Sequence, residues 1–414
     1  MSFKMSITRE DCLALDASDP LRACRARFQL EEGVIYLDGN SLGALPHGVA
    51  EHVAQVVERE WGKGLIRSWN EAGWYVSPAR VGAKLAPLLG AKHDEVTVTE
   101  SISINLFKLL VAAARLRPAR SEILAERGNF PSDNHIVESV ARLLGKKTRF
   151  VPAGEIAQAI GADTGVVTLS HVNYRSAEVQ DMARVTEAVH AKGALIVWDL
   201  AHSSGAVDLQ LDACRADFAV GCGYKFLNGG PGAPSHIFVA ERHLGSLDQP
   251  LTGWFGHAEP FRFDDGYRRA DGIRHMLCST PQMLSMAAFE KALDAFEGVS
   301  MAEVERKGRA LGDLMIALHD ERLGRLGCGL ATLRDAKRRG NHVSLTHEAG
   351  YAVMRALIGR GVIGDFRAPD VMRFGFGPLY VRYVDIHDAV TAIADILERG
   401  EFKNEALAER QAVT

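Results

Sequence analysis

Between residues 95 and 240 the chain alternates short, unbroken apolar runs with amphipathic stretches. The runs are EVTVT (95–99), EILAE (122–126), TRFVP (148–152), GVVTLSHV (165–172), ALIVWDL (194–200), DFAVGC (217–222) and HIFVA (236–240). Between them lie NHIVESVARLLG (134–145) and DMARVTEAVHAKG (181–193), whose apolar residues recur at helical spacing. Strands that are apolar throughout, not on alternate residues, suit a mainly parallel sheet covered on both faces by helices. After about residue 281 long helical periods take over, followed by short strand candidates, HVSLT (342–346) and VMRFGF (371–376). The first 65 residues are mainly helical in pattern, apart from VIYLDG. The pattern predicts an α/β protein: a large domain over 66–300, and a smaller α+β domain built from 1–65 together with 301–414.

Ligands of open α/β sheets bind beyond the carboxyl ends of the strands. The informative positions are those just after each run: Ser101 to Asn105, Asn129 to Asp133, Ser170 to Asn173, Asp199 to His202, and Tyr224-Lys225. A lysine at the end of a buried strand is unusual, because lysine is seldom buried. Composition narrows the partners. The chain is 47% hydrophobic and 24% charged, with a net charge of −4 and no block of like charge, so it offers no nucleic-acid surface. Its six cysteines form no C-x-x-C pair and the N-terminus has no unbroken apolar segment, so a reduced, cytoplasmic setting is expected. No apolar run reaches the roughly 20 residues that cross a bilayer.

Several chemistries drop out. There is no phosphate loop of the G-x-x-x-x-G-K-[ST] type, no G-x-G-x-x-G after a strand, no H-E-x-x-H, and no cysteine/histidine spacing that reads as a metal cage. GNSLG (39–43) matches the serine-hydrolase elbow, which would make Ser41 a nucleophile. Only 38 residues precede that motif and no oxyanion-hole run is among them, so a turn between strand and helix is the expected role. Pyridoxal 5′-phosphate fits better. It needs a lysine for its aldehyde, an acid to keep the pyridine nitrogen protonated, phosphate donors at a helix N-terminus, and a flat side chain on the ring. Lys225 and Asp199 end neighbouring runs, Ser101 and Ser103 sit at the start of the helical INLFKLLVAAARL, and Phe130 and Asp133 follow another run in NFPSD. Each alone has a plain structural explanation: Asp199 and Ser103 as helix caps, NGGPGAPS as a loop. Together they point to the cofactor.

From WDLAHSSGAVDL to ADFAVGCGYKFLNGGPGAPS the chain resembles the kynureninases, fold-type-I pyridoxal-phosphate enzymes that hydrolyse kynurenine. VIYLDGNSLGALP, GLIRSWNEAGW, SINLFKLL, NFPSDNH, SHVNYRS, GWFGH and GYAVMRALIGRGVIGDFRAPDVMRFGFGPLY extend the likeness over nearly the whole chain. The resemblance implies that Lys225 binds the cofactor aldehyde, that Asp199 meets the pyridine nitrogen with His202 nearby, and that Phe130 stacks on the ring, with Pro131, Ser132 and Asp133 in the same wall. Ile102, Ser103, Ser170 and Tyr224 would surround the cofactor and its phosphate, Tyr224 serving as proton donor or as phosphate anchor. Arg373 would grip the substrate carboxylate, and Trp69 matches the form that prefers kynurenine to its 3-hydroxy derivative. Trp254 and Thr280 are expected to complete the neighbouring site of a homodimer. Ser279 stands where a glycine would be unsurprising. A cysteine desulfurase or selenocysteine lyase shares fold and cofactor but would need a persulfide-forming cysteine, for which Cys328 in LGCGL is the candidate. An aminotransferase would need a keto-acid co-substrate.

Overall fold

A computed structural model describes residues 6–263 and 265–410. Its strands are β1 (Ile35–Tyr36), β2 (Val96–Val98), β3 (Glu122–Glu126), β4 (Lys147–Val151), β5 (Thr164–Ser170), β6 (Leu195–Asp199), β7 (Phe218–Cys222), β8 (Ser235–Val239), β9 (Gly329–Leu330), β10 (His342–Thr346), β11 (Val362–Ile363), β12 (Asp365–Arg367) and β13 (Val371–Gly375). Seven of them form one sheet in the order β2-β8-β7-β6-β5-β3-β4. The pairs from β4 to β7 are parallel, and β8 runs antiparallel to both β7 and β2.

The continuous apolar runs follow from burial on both sides. Every residue of β5, β6, β7 and β8 is buried. Successive side chains point to opposite faces. Val166, Val197 and Val220 therefore join one cluster, with Leu106, Leu109 and Leu110 of the helix Ile102–Arg115, while Val167, Trp198 and Ala219 join the other. The helix Pro131–Leu144 starts on a proline, whose missing N–H costs nothing there, and packs on β3, β4 and the helix Ile102–Arg115. At the foot of β7 the buried Asp217 ties four elements together: its carboxylate accepts from Ile196 N at 2.9 Å and from Arg242 Nη2 at 2.7 Å, and lies 2.9 Å from His190 Nε2 and 2.8 Å from His243 Nε2.

The C-terminal part carries a four-stranded antiparallel sheet, β12-β13-β10-β9. HVSLT and VMRFGF fall on β10 and β13 as expected, whereas the short β9, β11 and β12 gave no apolar run to read. The N-terminal segment joins the C-terminal one: β1 pairs in parallel with β11, and Lys307 meets Asp19 at 2.7 Å with both side chains buried. The loop after β1 then reaches the large sheet, where Gly43 N donates to Tyr224 O at 2.8 Å.

Candidate active site

The carboxyl ends of β5, β6 and β7 and the N-termini of the helices Ile102–Arg115 and Pro131–Leu144 converge on one cleft. Ile102, Phe130, Ser132, Asp133, Ser170, Asp199, His202, Tyr224, Lys225 and Arg373 all line it.

Lys225 leaves β7 half-buried, its Nζ 2.9 Å from His202 Nε2. Burial, then the charges of Lys225 and Arg373, push the His202 imidazole well below its ordinary range, so it is neutral. His202 Nε2 also lies 3.2 Å from Asn40 O, which fixes the ring. Tyr224 lies alongside, with Nζ of Lys225 5.9 Å from its ring centre. Burial raises the Tyr224 phenol above its ordinary value and keeps it protonated.

Asp199 is buried at the end of β6 and accepts from Ala201 N at 2.8 Å, an Asx turn and not the helix cap that its position also allowed. Ser170 Oγ lies 3.0 Å from Asp199 Oδ2 and 2.5 Å from Asn129 Oδ1. Asp133 lies against Asp199. Burial, and then the neighbouring Asp199 charge, push Asp133 well above the carboxylate range, so it keeps its proton and donates to Asp199. Burial raises Asp199 too, opposed by the Ala201 N–H and by Lys225. A third acid, Glu126, stands behind them. It accepts from Ser170 N at 3.1 Å and Asn173 Nδ2 at 2.9 Å, and burial pushes it up to about 7.

This donor set suits pyridoxal phosphate. A buried carboxylate flanked by neutral donors calls for a cationic N–H, which a protonated pyridine supplies. Phe130, 45% exposed, lines the cleft with its ring perpendicular to that of Tyr174, the centres 5.3 Å apart. The first amides of the helix Ile102–Arg115 have no intrahelical partner and aim at an anion. The cap there is Ser101, which accepts from Ile104 N; Ser103, expected to share the cap, lies inside the first turn and outside the cleft lining. Pro131 likewise shapes the helix start without lining the cleft.

The far end of the cleft is cationic. Arg373 and Asp365 are cross-strand partners on β13 and β12, and the guanidinium grips the carboxylate through Nε, at 2.7 Å, and Nη2. Burial opposes charge on Asp365, but the hydrogen bonds from Arg373 outweigh it and hold the carboxyl below its ordinary value. Asp38 beside it is pushed up to about 7 by burial and by the Asp365 charge. Ser41 donates to Asp365 Oδ2 at 2.6 Å and lies 3.2 Å from Arg373 Nη2, with no imidazole among its hydrogen-bond partners. That excludes the hydrolase elbow. The glycines of GNSLG have another cause: a Cβ on Gly43 would sit 2.3 Å from Lys225 O, and one on Gly39 would sit 2.6 Å from the Tyr380 hydroxyl. Cys328 is buried, absent from the cleft lining, and pushed up to about 11 by burial, so it does not present a thiolate there.

Asn40, Tyr174, Cys222 and Arg367 line the cleft without having been expected there. Tyr174 lies one residue beyond the segment singled out after β5, and Arg367 stands on a strand too short to announce itself. Trp69, Trp254 and Thr280 are not part of this chain's own cleft. Trp69 and Trp254 pack around Phe255, with ring centres 5.8 and 4.5 Å away, and Trp254 is 38% exposed, as Thr280 is also open to solvent. Among the described residues no cluster of three or more His, Cys, Asp or Glu could hold a metal ion, and no helix is long and apolar enough to cross a membrane.

The fold matches solved structures of a cysteine desulfurase from Thermococcus onnurineus NA1 (TM-score 0.78, 18% identity, covering 91% of this chain and 98% of that one) and of one from Escherichia coli (TM-score 0.77, 19% identity, covering 92% and 98%). The chain therefore has the fold-type-I architecture, with the lysine, the buried acid pair and the helix N-terminus that suit pyridoxal phosphate gathered at one sheet edge. Residues 304–393 match the model of the kynureninase C-terminal domain. Kynureninases of Burkholderia mallei and Pseudomonas fluorescens are 48% and 47% identical to the chain, each over 98% of it and the whole of their own length. The chain belongs to the kynureninase family.

Proposed function

We propose that the protein hydrolyses the Cβ–Cγ bond of L-kynurenine, consuming one water and releasing anthranilate and L-alanine. The observation that carries this at the site is Lys225 Nζ, held by His202 across from the Asp133–Asp199 pair, in a chain of the kynureninase family. Pyridoxal phosphate bound at Lys225 supplies the electron sink that makes the α-proton acidic and lets the β-carbon leave.

The protein residues do the rest. Asp199 would hold the pyridine N–H, with Asp133 and Ser170 orienting the carboxylate. Phe130 would cover the ring. The amides at Ile102 and Ser103 and the Tyr224 hydroxyl would receive the phosphate. With substrate bound, the free Lys225 amine would take the proton from Cα. Neutral His202 can orient that amine without competing as a cation. Tyr224, kept protonated by burial, returns a proton to Cβ or anchors the phosphate. The substrate carboxylate is drawn to the Arg373 end of the cleft. Ring recognition falls to residues outside this cleft: Trp254 and Thr280 of a partner subunit complete the site in a homodimer, with Trp69 beside them favouring kynurenine over 3-hydroxykynurenine. The exposure of Trp254 and Thr280 supports that reading. A cytoplasmic location suits six cysteines, all unpaired in the structure.

Incubation of the loaded protein with kynurenine and with 3-hydroxykynurenine tests the proposal. Anthranilate fluorescence with a higher kcat/KM for kynurenine is expected. Absence of anthranilate, or sulfide release from cysteine in its place, would overturn it.

A further inference from the structure

Glu126 ends β3, buried and outside the cleft lining, and no step above uses it. A buried carboxyl is costly unless its oxygens are hydrogen-bonded. Both of its oxygens are, and each serves a different element. The ladder of β3 on β5 ends where Ala125 faces Thr168. His171 N turns to the other neighbour and donates to Asp199 O of β6 at 2.9 Å. Ser170 N, one residue earlier, faces back toward β3, where it donates to Glu126 Oε2 at 3.1 Å. The side chain thus continues the ladder beyond its last backbone pair. Glu126 Oε1 accepts from Asn173 Nδ2 at 2.9 Å, and Asn173 Oδ1 in turn accepts from Arg175 N at 3.0 Å and Ser176 N at 3.1 Å. That closes the turn that carries Tyr174.

From Ser170 the contacts run on to the acid pair. Its hydroxyl lies 3.0 Å from Asp199 Oδ2 and 2.5 Å from Asn129 Oδ1, and Asn129 Nδ2 donates to Asp133 Oδ2 at 3.3 Å. Asp199 is therefore oriented by Ser170 on one side and by Ala201 N on the other. A side chain that must meet one atom of a bound ring is only as well placed as the residues that hold it. Ser170 is held on its β3 side by Glu126, through a neutral N–H, so the grip is one of geometry.

We propose that Glu126 is a positioning residue that fixes the end of β5 and, through Ser170, the direction in which Asp199 meets the ring nitrogen of the cofactor. The inference rests on the pyridoxal-phosphate reading of the cleft. Full-length wild type, Glu126→Gln and Glu126→Asp, each freed of cofactor, are dialysed to equilibrium against pyridoxal phosphate and against its deaza analogue, in which C–H replaces the ring nitrogen. Glutamine keeps the size but offers one acceptor to two N–H groups; aspartate keeps both oxygens but falls a methylene short. In Glu126→Gln the Kd of pyridoxal phosphate is expected to rise roughly tenfold, the size of one hydrogen bond to a charged group, while that of the analogue changes little. Glu126→Asp shows the same preference, and decides the matter should the glutamine variant fail to fold. In the loaded enzyme kcat for kynurenine falls and KM changes little. Unchanged affinity for pyridoxal phosphate, or equal losses for both probes as a general loosening would give, would overturn the assignment. A wild type that binds neither probe would sink the cofactor reading and the assignment with it. One that prefers pyridoxal phosphate to the analogue yet releases no anthranilate would sink the kynurenine reading alone.

Discussion

At the scale of single residues, the site separates groups whose charge is needed from groups kept neutral. Burial raises Asp199, and the Asp133 proton, the Ala201 N–H and Lys225 oppose that rise, while burial and Lys225 both disfavour imidazolium at His202. Lys225→Ala is expected to abolish the visible absorbance that appears when pyridoxal phosphate is added, and to cut turnover by several orders of magnitude, as loss of a nucleophile does. An unchanged absorbance spectrum would contradict the assignment. Lys225, Asp199 and Phe130 were legible because each ends an apolar run or opens the helix after one, which is where sheet ligands bind. Arg367 and Asn40 were not. Arg367 reaches the cleft beside Asp365, which pairs across strands with Arg373, and Asn40 comes in on a loop from another part of the chain. Neither relation leaves a local pattern.

At the scale of elements, β5, β6 and β7 must end in register for their terminal residues to meet. Asp217 enforces that at the opposite edge, binding β6 through Ile196 N and two surrounding helices through His190 and His243. Burial opposes its charge, but the hydrogen bonds from His190, His243 and Ile196 win and hold the carboxyl far below its ordinary value. A depressed folded value means the stabilisation is complete above the unfolded carboxylate range and is lost as pH falls through and below about 4. Asp217→Ala should therefore lower stability at neutral pH by about 3 kcal/mol, as breaking a buried pair does, and flatten the acid limb of the stability curve. Denaturant melts at pH 7 and below pH 4 measure both; a parallel loss at every pH would show that packing, not charge, carries the effect. Strands β5 to β8 were readable because both faces are covered and each run is largely apolar, and the half-buried edge strand β4 showed through its shorter apolar segment. The reversal of β8 was not, since an antiparallel strand buried on both faces carries the same apolar run as a parallel one.

At the scale of the whole molecule, we propose that 66–300 and 1–65 with 301–414 are the two domains. The support is the pairing of β1 with β11, the buried Lys307–Asp19 contact and the containment of the seven-stranded sheet within 96–239. The seam between them runs through the site at Gly43, whose N–H holds Tyr224 O and whose missing side chain makes room for Lys225 O. Gly43→Ala drives its Cβ to 2.3 Å from the Lys225 carbonyl oxygen. It is expected to weaken cofactor affinity about tenfold, equivalent to about 1.4 kcal/mol of strain, with the far-ultraviolet dichroism of the fold retained. Equilibrium dialysis against pyridoxal phosphate checks it, and wild-type affinity would show that the loop yields.

The β1 loop also has a consequence for biosynthesis. Leu37 N donates to Ile363 O, Gly375 N donates to Leu37 O, and six residues after Leu37 the same loop closes on the lysine turn. A nascent chain on the ribosome can finish its central sheet long before residue 375 emerges. Until then the loop is held through Asn40 O at His202 and Gly43 N at Tyr224 O, without the Leu37 contacts. A product truncated before its last 40 residues would keep the lysine but lose the Gly375 contact to Leu37 that braces the loop beside it.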